Sequence, residues 1–186
     1  MWLSGSSTRL YSVDGATLRR YDIANSATSP VLIQTSSSFS SAFVQLAGTK
    51  LYLGSTNTNV STQSGGLYIL NPDLPTVPLS NLYGGFDNAG VARDGGTAVV
   101  VSSFGLKVLS VSSLTSPTVV GTLNGTYRQI AMVGSYAYVS NIVPGNPARI
   151  ELAIVSLAPP SAPAIVGRLT VTDIRWIKVV GSYAYV

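Results

Sequence analysis

The chain has 186 residues, 46% of them hydrophobic and only 10% charged, too apolar and too weakly charged for disorder, so a packed fold is expected. Its net charge of +4 comes from scattered Arg and Lys, with Arg19-Arg20 the one adjacent pair, and lacks the clustered basic face of a nucleic-acid binder. Neither Cys nor His occurs, which excludes disulfides, thiolate chemistry, imidazole metal sites and His-based catalytic relays together.

No apolar run approaches the roughly 18 residues of a membrane-spanning helix, so membrane insertion is not expected. Met1-Trp-Leu-Ser-Gly5 lacks the basic start and apolar middle of an export signal. Val, Ile, Leu and Tyr do the packing and Ser and Thr dominate the polar set, a balance that favours strands. No window shows the 3.6-residue period with caps that a helix longer than a turn requires.

In chain order, strands are expected over Arg9-Leu-Tyr-Ser-Val13 and Leu18-Arg-Arg-Tyr-Asp22, then after Pro30. The second set runs Phe43 to Gly48, Lys50-Leu-Tyr-Leu53, Leu67-Tyr-Ile-Leu-Asn71 and Pro78-Leu79. The third is Val91 to Gly96, Ala98-Val-Val-Val101, Leu106-Lys-Val-Leu-Ser110 and Pro117-Thr-Val-Val-Gly121. The fourth is Gln129 to Gly134, Tyr136-Ala-Tyr-Val139, Leu152-Ala-Ile-Val-Ser156 and Pro163-Ala-Ile-Val-Gly167. A fifth set begins with Trp176 to Gly181 and Tyr183 to Val186. Val133-Gly-Ser-Tyr-Ala-Tyr-Val139 returns unchanged as Val180 to Val186, which marks duplication.

Each unit thus reads strand, Gly turn, strand, loop, strand, polar turn, Pro, strand. Gly-Ser and Gly-Thr are hairpin punctuation, and Asp22, Asn71, Ser110 and Ser156 can each hydrogen-bond the backbone just beyond and close a turn. Proline suits a strand start, where its missing N–H costs least. The Pro landmarks are 48, 39 and 46 residues apart, the period of a four-stranded β-propeller blade, whereas an array of β-sandwiches would need roughly 100 residues per domain. The expected fold class is all-β, a partial β-propeller of about four four-stranded blades, without substantial helix. Residues 1–186 form one such propeller, with units near 8–35, 42–84, 89–124 and 128–170, and 174–186 opening a further blade.

Gly-Ser-Tyr-Ala-Tyr-Val, Gly105-Leu-Lys-Val-Leu-Ser-Val-Ser-Ser113 and Ser116-Pro-Thr-Val-Val-Gly121 together resemble the LVIVD-repeat family of β-propeller proteins, over nearly the whole chain. The resemblance implies a secreted or surface-exposed bacterial or archaeal protein and no single reaction. The chain departs from the family pattern at the end of the third strand, where only Asp22 keeps the acidic residue.

Both termini are expected to fall in the second strand of a blade, and an exposed blade face would leave several Val, Ile or Leu side chains in water at roughly 1.5 to 3 kcal/mol each. A piece of a larger propeller is therefore expected, with self-association through open blade edges as the alternative. The loops 55–65 and 141–149 are long, polar and turn-rich.

On the same rim the inner strands open with Ala42, Gly90, Arg128 and Arg175; Tyr127 and Trp176 flank the arginines, and Asp87, Asn88 and Asp173 lie nearby. Guanidinium beside aromatic rings can hold a carboxylate, a sugar or an acidic side chain, so Arg128, Arg175, Tyr127, Trp176 and Asp173 are the candidate binding residues. No two of the seven carboxylates stand at a spacing that fixes a metal or an acid–base pair; no cofactor, metal or catalytic residue is expected. A non-catalytic interaction scaffold with a protein or carbohydrate partner follows. The alternative is part of a propeller enzyme acting on a sugar or carboxylated substrate, with its catalytic residues outside the segment.

Overall fold

The computed structural model describes residues 2–5, 8–14, 17–24, 30–36, 43–59, 64–82, 90–145 and 147–186. Among them every regular element is a β-strand, and the chain divides into two compact units, Met1–Asn88 and Ala89–Val186.

The first unit holds two four-stranded antiparallel meanders. One is β1 (Trp2–Gly5), β2 (Arg9–Asp14), β3 (Thr17–Asp22) and β4 (Val31–Ser36); the next is β5 (Phe43–Ala47), β6 (Lys50–Asn59), β7 (Ser64–Asn71) and β8 (Leu74–Leu82). Tyr11, Val13 and Leu18 of the first sheet pack against Val44, Leu51, Leu53 and Leu70 of the second, which keeps the seam dry. A polar clamp closes one edge of that seam. The Tyr11 hydroxyl donates to the Pro72 carbonyl at 2.9 Å, Arg20 donates to the Pro72 and Asp73 carbonyls, and Arg9 pairs with the Asp73 carboxylate. Arg20, half of the adjacent basic pair, is thereby a partly buried brace rather than a solvated charge.

The second unit repeats the meander with β9 (Gly90–Asp94), β10 (Thr97–Ser102), β11 (Gly105–Ser110) and β12 (Thr118–Leu123), then β13 (Tyr127–Val133), β14 (Tyr136–Val143), β15 (Arg149–Ser156) and β16 (Ala164–Val171). A two-stranded sheet, β17 (Lys178–Val180) and β18 (Tyr183–Tyr185), follows. Its core lies between the two larger sheets: Val99, Val101, Leu106 and Val108 meet Ala137, Val139, Ala153 and Val155. Period-2 alternation produces this. Val99 and Val101 face one way while Ala98 and Val100, buried as well, face the other.

In the second, third and fourth blades and in the terminal two-stranded sheet, the first hairpin turns on Gly48, Gly95, Gly134 and Gly181 at φ of 58°, 55°, 57° and 58°, a left-handed conformation in which glycine is unstrained. The turn glycine of the third blade is therefore Gly95, one residue before the expected Gly96. The second strand accordingly starts at Thr97, and Ala98, not Val99, stands where Ala137 does.

The polar turn after the third strand forms as its chemistry requires. Asp22 Oδ1 accepts from the Ala24 N–H at 2.8 Å, Asn71 Oδ1 from Asp73 at 3.0 Å and Ser156 Oγ from Ala158 at 3.4 Å, while Ser110 bonds the Ser112 hydroxyl. Every third-to-fourth strand pair also carries a register shift, at Arg20/Tyr21, Ile69/Leu70 and Leu70/Asn71, Val108/Leu109 and Ile154/Val155. Pro78 sits inside β8 at such an irregularity rather than at a strand start, since a bulge releases the ladder from needing its N–H.

Four expectations change. The chain enters on β1, an inner strand paired with β2, so the first blade is complete and does not start near residue 8. The loop 55–65 is largely a continuation of β6 and β7, paired at Ser55↔Gly66 and Asn59↔Ser64, and Thr56 and Thr58 are β-branched residues suited to a strand; residues 60–63 lie outside the described residues. Likewise β14 runs to Val143 and β15 starts at Arg149, which shortens the expected loop 141–149 to 144–148. Finally, Trp176 and Ile177 precede β17 instead of forming part of it.

Candidate functional site

All five candidate residues fall in the second unit, on β13 and in the segment between β16 and β17. Arg128 lies in an irregularity of β13, where Tyr127 pairs with Asn141 and Ile130 with Val139, so that Arg128 and Gln129 stand against the single residue Ser140. The extra residue turns Arg128 to solvent, with no hydrogen bond or ion pair among the described residues, and presents the Gln129 N–H to Ser140 Oγ at 2.9 Å. The same irregularity keeps both Tyr127 and Ile130 on the core side. Tyr127 is 1% exposed and belongs to the hydrophobic core, so it is not the rim aromatic that its place beside Arg128 suggests. Asp173 and Arg175 are brought together as an exposed ion pair at 3.0 Å, and Trp176 beside them is 54% exposed. Ile174, between the two charges, is buried and anchors the segment. Arg128 forms no bond to this group. Ala42, Asp87 and Asn88 lie outside the described residues.

The structure adds a site at the end of the seam between β9–β12 and β13–β16. A cleft of about 220 Å³ opens there, lined by Asn124, Tyr127, Asn141, Pro144, Ile165 and Arg168 among others. It is built on one rung of the sheet, Tyr127↔Asn141↔Glu151↔Thr170. The face of β15 that carries Ala153 and Val155 into the core ends in Glu151, whose side chain is 7% exposed. Burial of a carboxylate calls for compensation, and Arg168 supplies it with a bond from Nη1 to Oε2 at 2.9 Å; Arg149 approaches Oε1 at 3.8 Å. Asn141 is 6% exposed, yet its amide makes no hydrogen bond among the described residues. The Tyr127 hydroxyl donates to the Asn124 carbonyl at 3.0 Å. Gly125 permits that contact, since at φ 152° a Cβ there would lie 2.6 Å from the Tyr127 ring.

Burial pushes the Tyr127 phenol above its ordinary 10.0, an effect the Arg168 guanidinium partly opposes. With the folded value raised, this stability is fully present below pH 10.0 and is lost as pH rises from there through the folded value, because the unfolded phenol ionises first. Urea midpoints measured across this alkaline range are expected to fall. Tyr127→Phe, which keeps the ring, should flatten part of that slope while costing about 1 kcal/mol at neutral pH for the lost hydrogen bond.

Asn141, Arg149, Glu151 and Arg168 escape a sequence reading because the third strand of this blade is legible only from Leu152. One local signal is present: Arg149-Ile-Glu151 places opposite charges two apart, on one face of a strand. Among the described residues no group of three His, Asp or Glu side chains could hold a metal.

No family model and no curated protein sequence matches the chain. Solved structures do. Hydrazine synthase from Kuenenia stuttgartiensis is 14% identical over 94% of this chain and 55% of its own, with a TM-score of 0.65. The computationally designed Ika4 protein is 13% identical over 75% of this chain and 83% of its own, at 0.58. The N-terminal domain of Nup159 is 10% identical over 96% of this chain and 49% of its own, at 0.56. The chain thus spans about half the length of these two natural proteins. At these identities the likeness shows the fold, which is all-β: a partial β-propeller of four four-stranded blades followed by two further strands.

Proposed function

We propose that the chain is part of a non-catalytic interaction scaffold, belonging to a secreted or surface-exposed repeat protein, that holds a protein or carbohydrate partner on the rim of its second unit. The observation that carries this reading is Trp176, a large apolar ring left 54% exposed in an irregular segment beside Arg175 and Asp173. Packing of the core does not use it. Trp and Arg are the residue types that dominate binding energy at interfaces, and irregular segments on a rigid β scaffold are where such groups reside. The uncommitted Arg128 adds to the chemistry of the same rim. The extracellular setting rests on the resemblance of the turn motifs to LVIVD repeats.

The chain, biotinylated and applied to an array of neutral and uronic-acid glycans and of neutral and acidic peptides, is expected to bind one class. Trp176→Ala should weaken that binding by about 2 kcal/mol and leave the unfolding midpoint nearly unchanged, since the ring is outside the core. Silence across the array, or affinity indifferent to Trp176→Ala and to the Arg128→Ala/Arg175→Ala double variant, would overturn the scaffold reading.

A further inference from the structure

The cleft beside Glu151 is a different place from Trp176 and has its own chemistry. Three features define it. Asn141, 6% exposed, has a side-chain amide without a hydrogen-bond partner among the described residues, and that amide still reaches solvent at the cleft the residue lines, where water or a ligand can satisfy it. Arg168, which lines the cleft, spends one nitrogen on Glu151 and, half exposed, retains further guanidinium donors. Ile142, Val143, Pro144 and Ile165 add apolar residues to the lining.

Charge narrows the ligand. Two arginines, Arg149 and Arg168, face one carboxylate, Glu151, which leaves a local surplus of one positive charge. That suits a single carboxylate; a doubly charged phosphate would be left half neutralised. Size narrows it further, since about 220 Å³ is the share of liquid volume of about seven waters. We propose that this cleft binds a small aliphatic monocarboxylate, with Arg168 and the Asn141 amide donating to its oxygens and its chain lying against Ile142, Val143, Pro144 and Ile165. The assignment rests on the reading of the chain as a binding scaffold but uses none of the residues on which that reading depends.

Pentanoate is the probe, pentanamide its uncharged isostere, and amide chemical shifts of the isotope-labelled chain the readout. Pentanoate is expected to shift resonances at 124–127, 141–144 and 165–168 with Kd of about 1 mM, and pentanamide to bind at least about tenfold more weakly. Arg168→Gln should weaken pentanoate by about tenfold or more. Asn141→Leu, which fills the space with an apolar side chain of similar size, should weaken it by about fivefold; the dispersion of the spectrum reports whether each variant is folded. Arg93→Ala, on β9 and outside the cleft lining, should bind pentanoate as the parent does.

Equal affinity for pentanoate and pentanamide overturns the proposal, as does pentanoate binding that survives both cleft variants. Tighter binding of inorganic phosphate than of pentanoate also overturns it, as does a shift map produced only by an acidic hexapeptide, which would make the cleft a protein-docking point. If pentanoate fails while array binding through Trp176 persists, the cleft assignment falls and the scaffold stands. The reverse result separates them the other way.

Discussion

Leu106→Ala is expected to lower the stability of the second unit by about 3 kcal/mol, within the range for deleting a buried leucine. Leu106 is fully buried among Val99, Val101, Val108, Tyr127 and Val139. Part of the loss is the transfer free energy of the missing carbons, and part is the cavity. Collapse of that cavity is opposed from both sides. Leu106 pairs with Val101 and Leu123 in its own sheet, and Val139 is fixed between Ile130 and Ala153 in the next. Val119→Ala, on the exposed outer strand of the same sheet, removes similar chemistry from water-facing surface and should change stability by less than about 0.5 kcal/mol. Hydrogen exchange of the β10 and β11 amides, read against urea, measures both. A loss at Leu106 no larger than at Val119 would mean that the two sheets do not share a packed seam.

That leucine also shows what a sequence can disclose. Leu18, Leu67, Leu106 and Leu152 recur at the start of the third strand, and all four are buried. The polar residue four positions later recurs for an equally local reason, since its side chain closes the next turn. Features set within a few residues and repeated along the chain are legible. Those set across strands are not. Trp2–Gly5 is too short for alternation to identify and is a strand because β2 pairs with it. Tyr127 reads as a rim residue from its neighbour Arg128, but the irregularity in β13 returns it to the core, and only the pairing with β14 reveals that. The cleft is less legible still. Tyr127, Asn141, Glu151 and Thr170 come from four strands, and nothing local announces that they share a rung.

Glycine makes the same distinction measurable. Gly134→Ala and Gly121→Ala add one methyl group each, and the two should fail for different reasons. At Gly134 a Cβ meets nothing within 4 Å, but φ is 57°, so the penalty is backbone strain of about 1 kcal/mol. At Gly121 no such φ is involved; the Cβ would overlap the Pro160 carbonyl and lie 3.0 Å from Pro163 Cδ. Neither neighbour can rotate away, because one is backbone and the other is a proline ring. Relief requires β12 to separate from the Ala158–Pro163 segment, and overpacking of that kind costs about 3 kcal/mol. Gly121 also pairs with Val108 beside the bulge, so displacement would disturb the ladder that holds the seam. Urea midpoints of the two variants should therefore rank Gly121→Ala well below Gly134→Ala. The opposite ranking would show that β12 does not approach the following blade this closely, and that Gly121 recurs as turn chemistry rather than because two segments of backbone meet there.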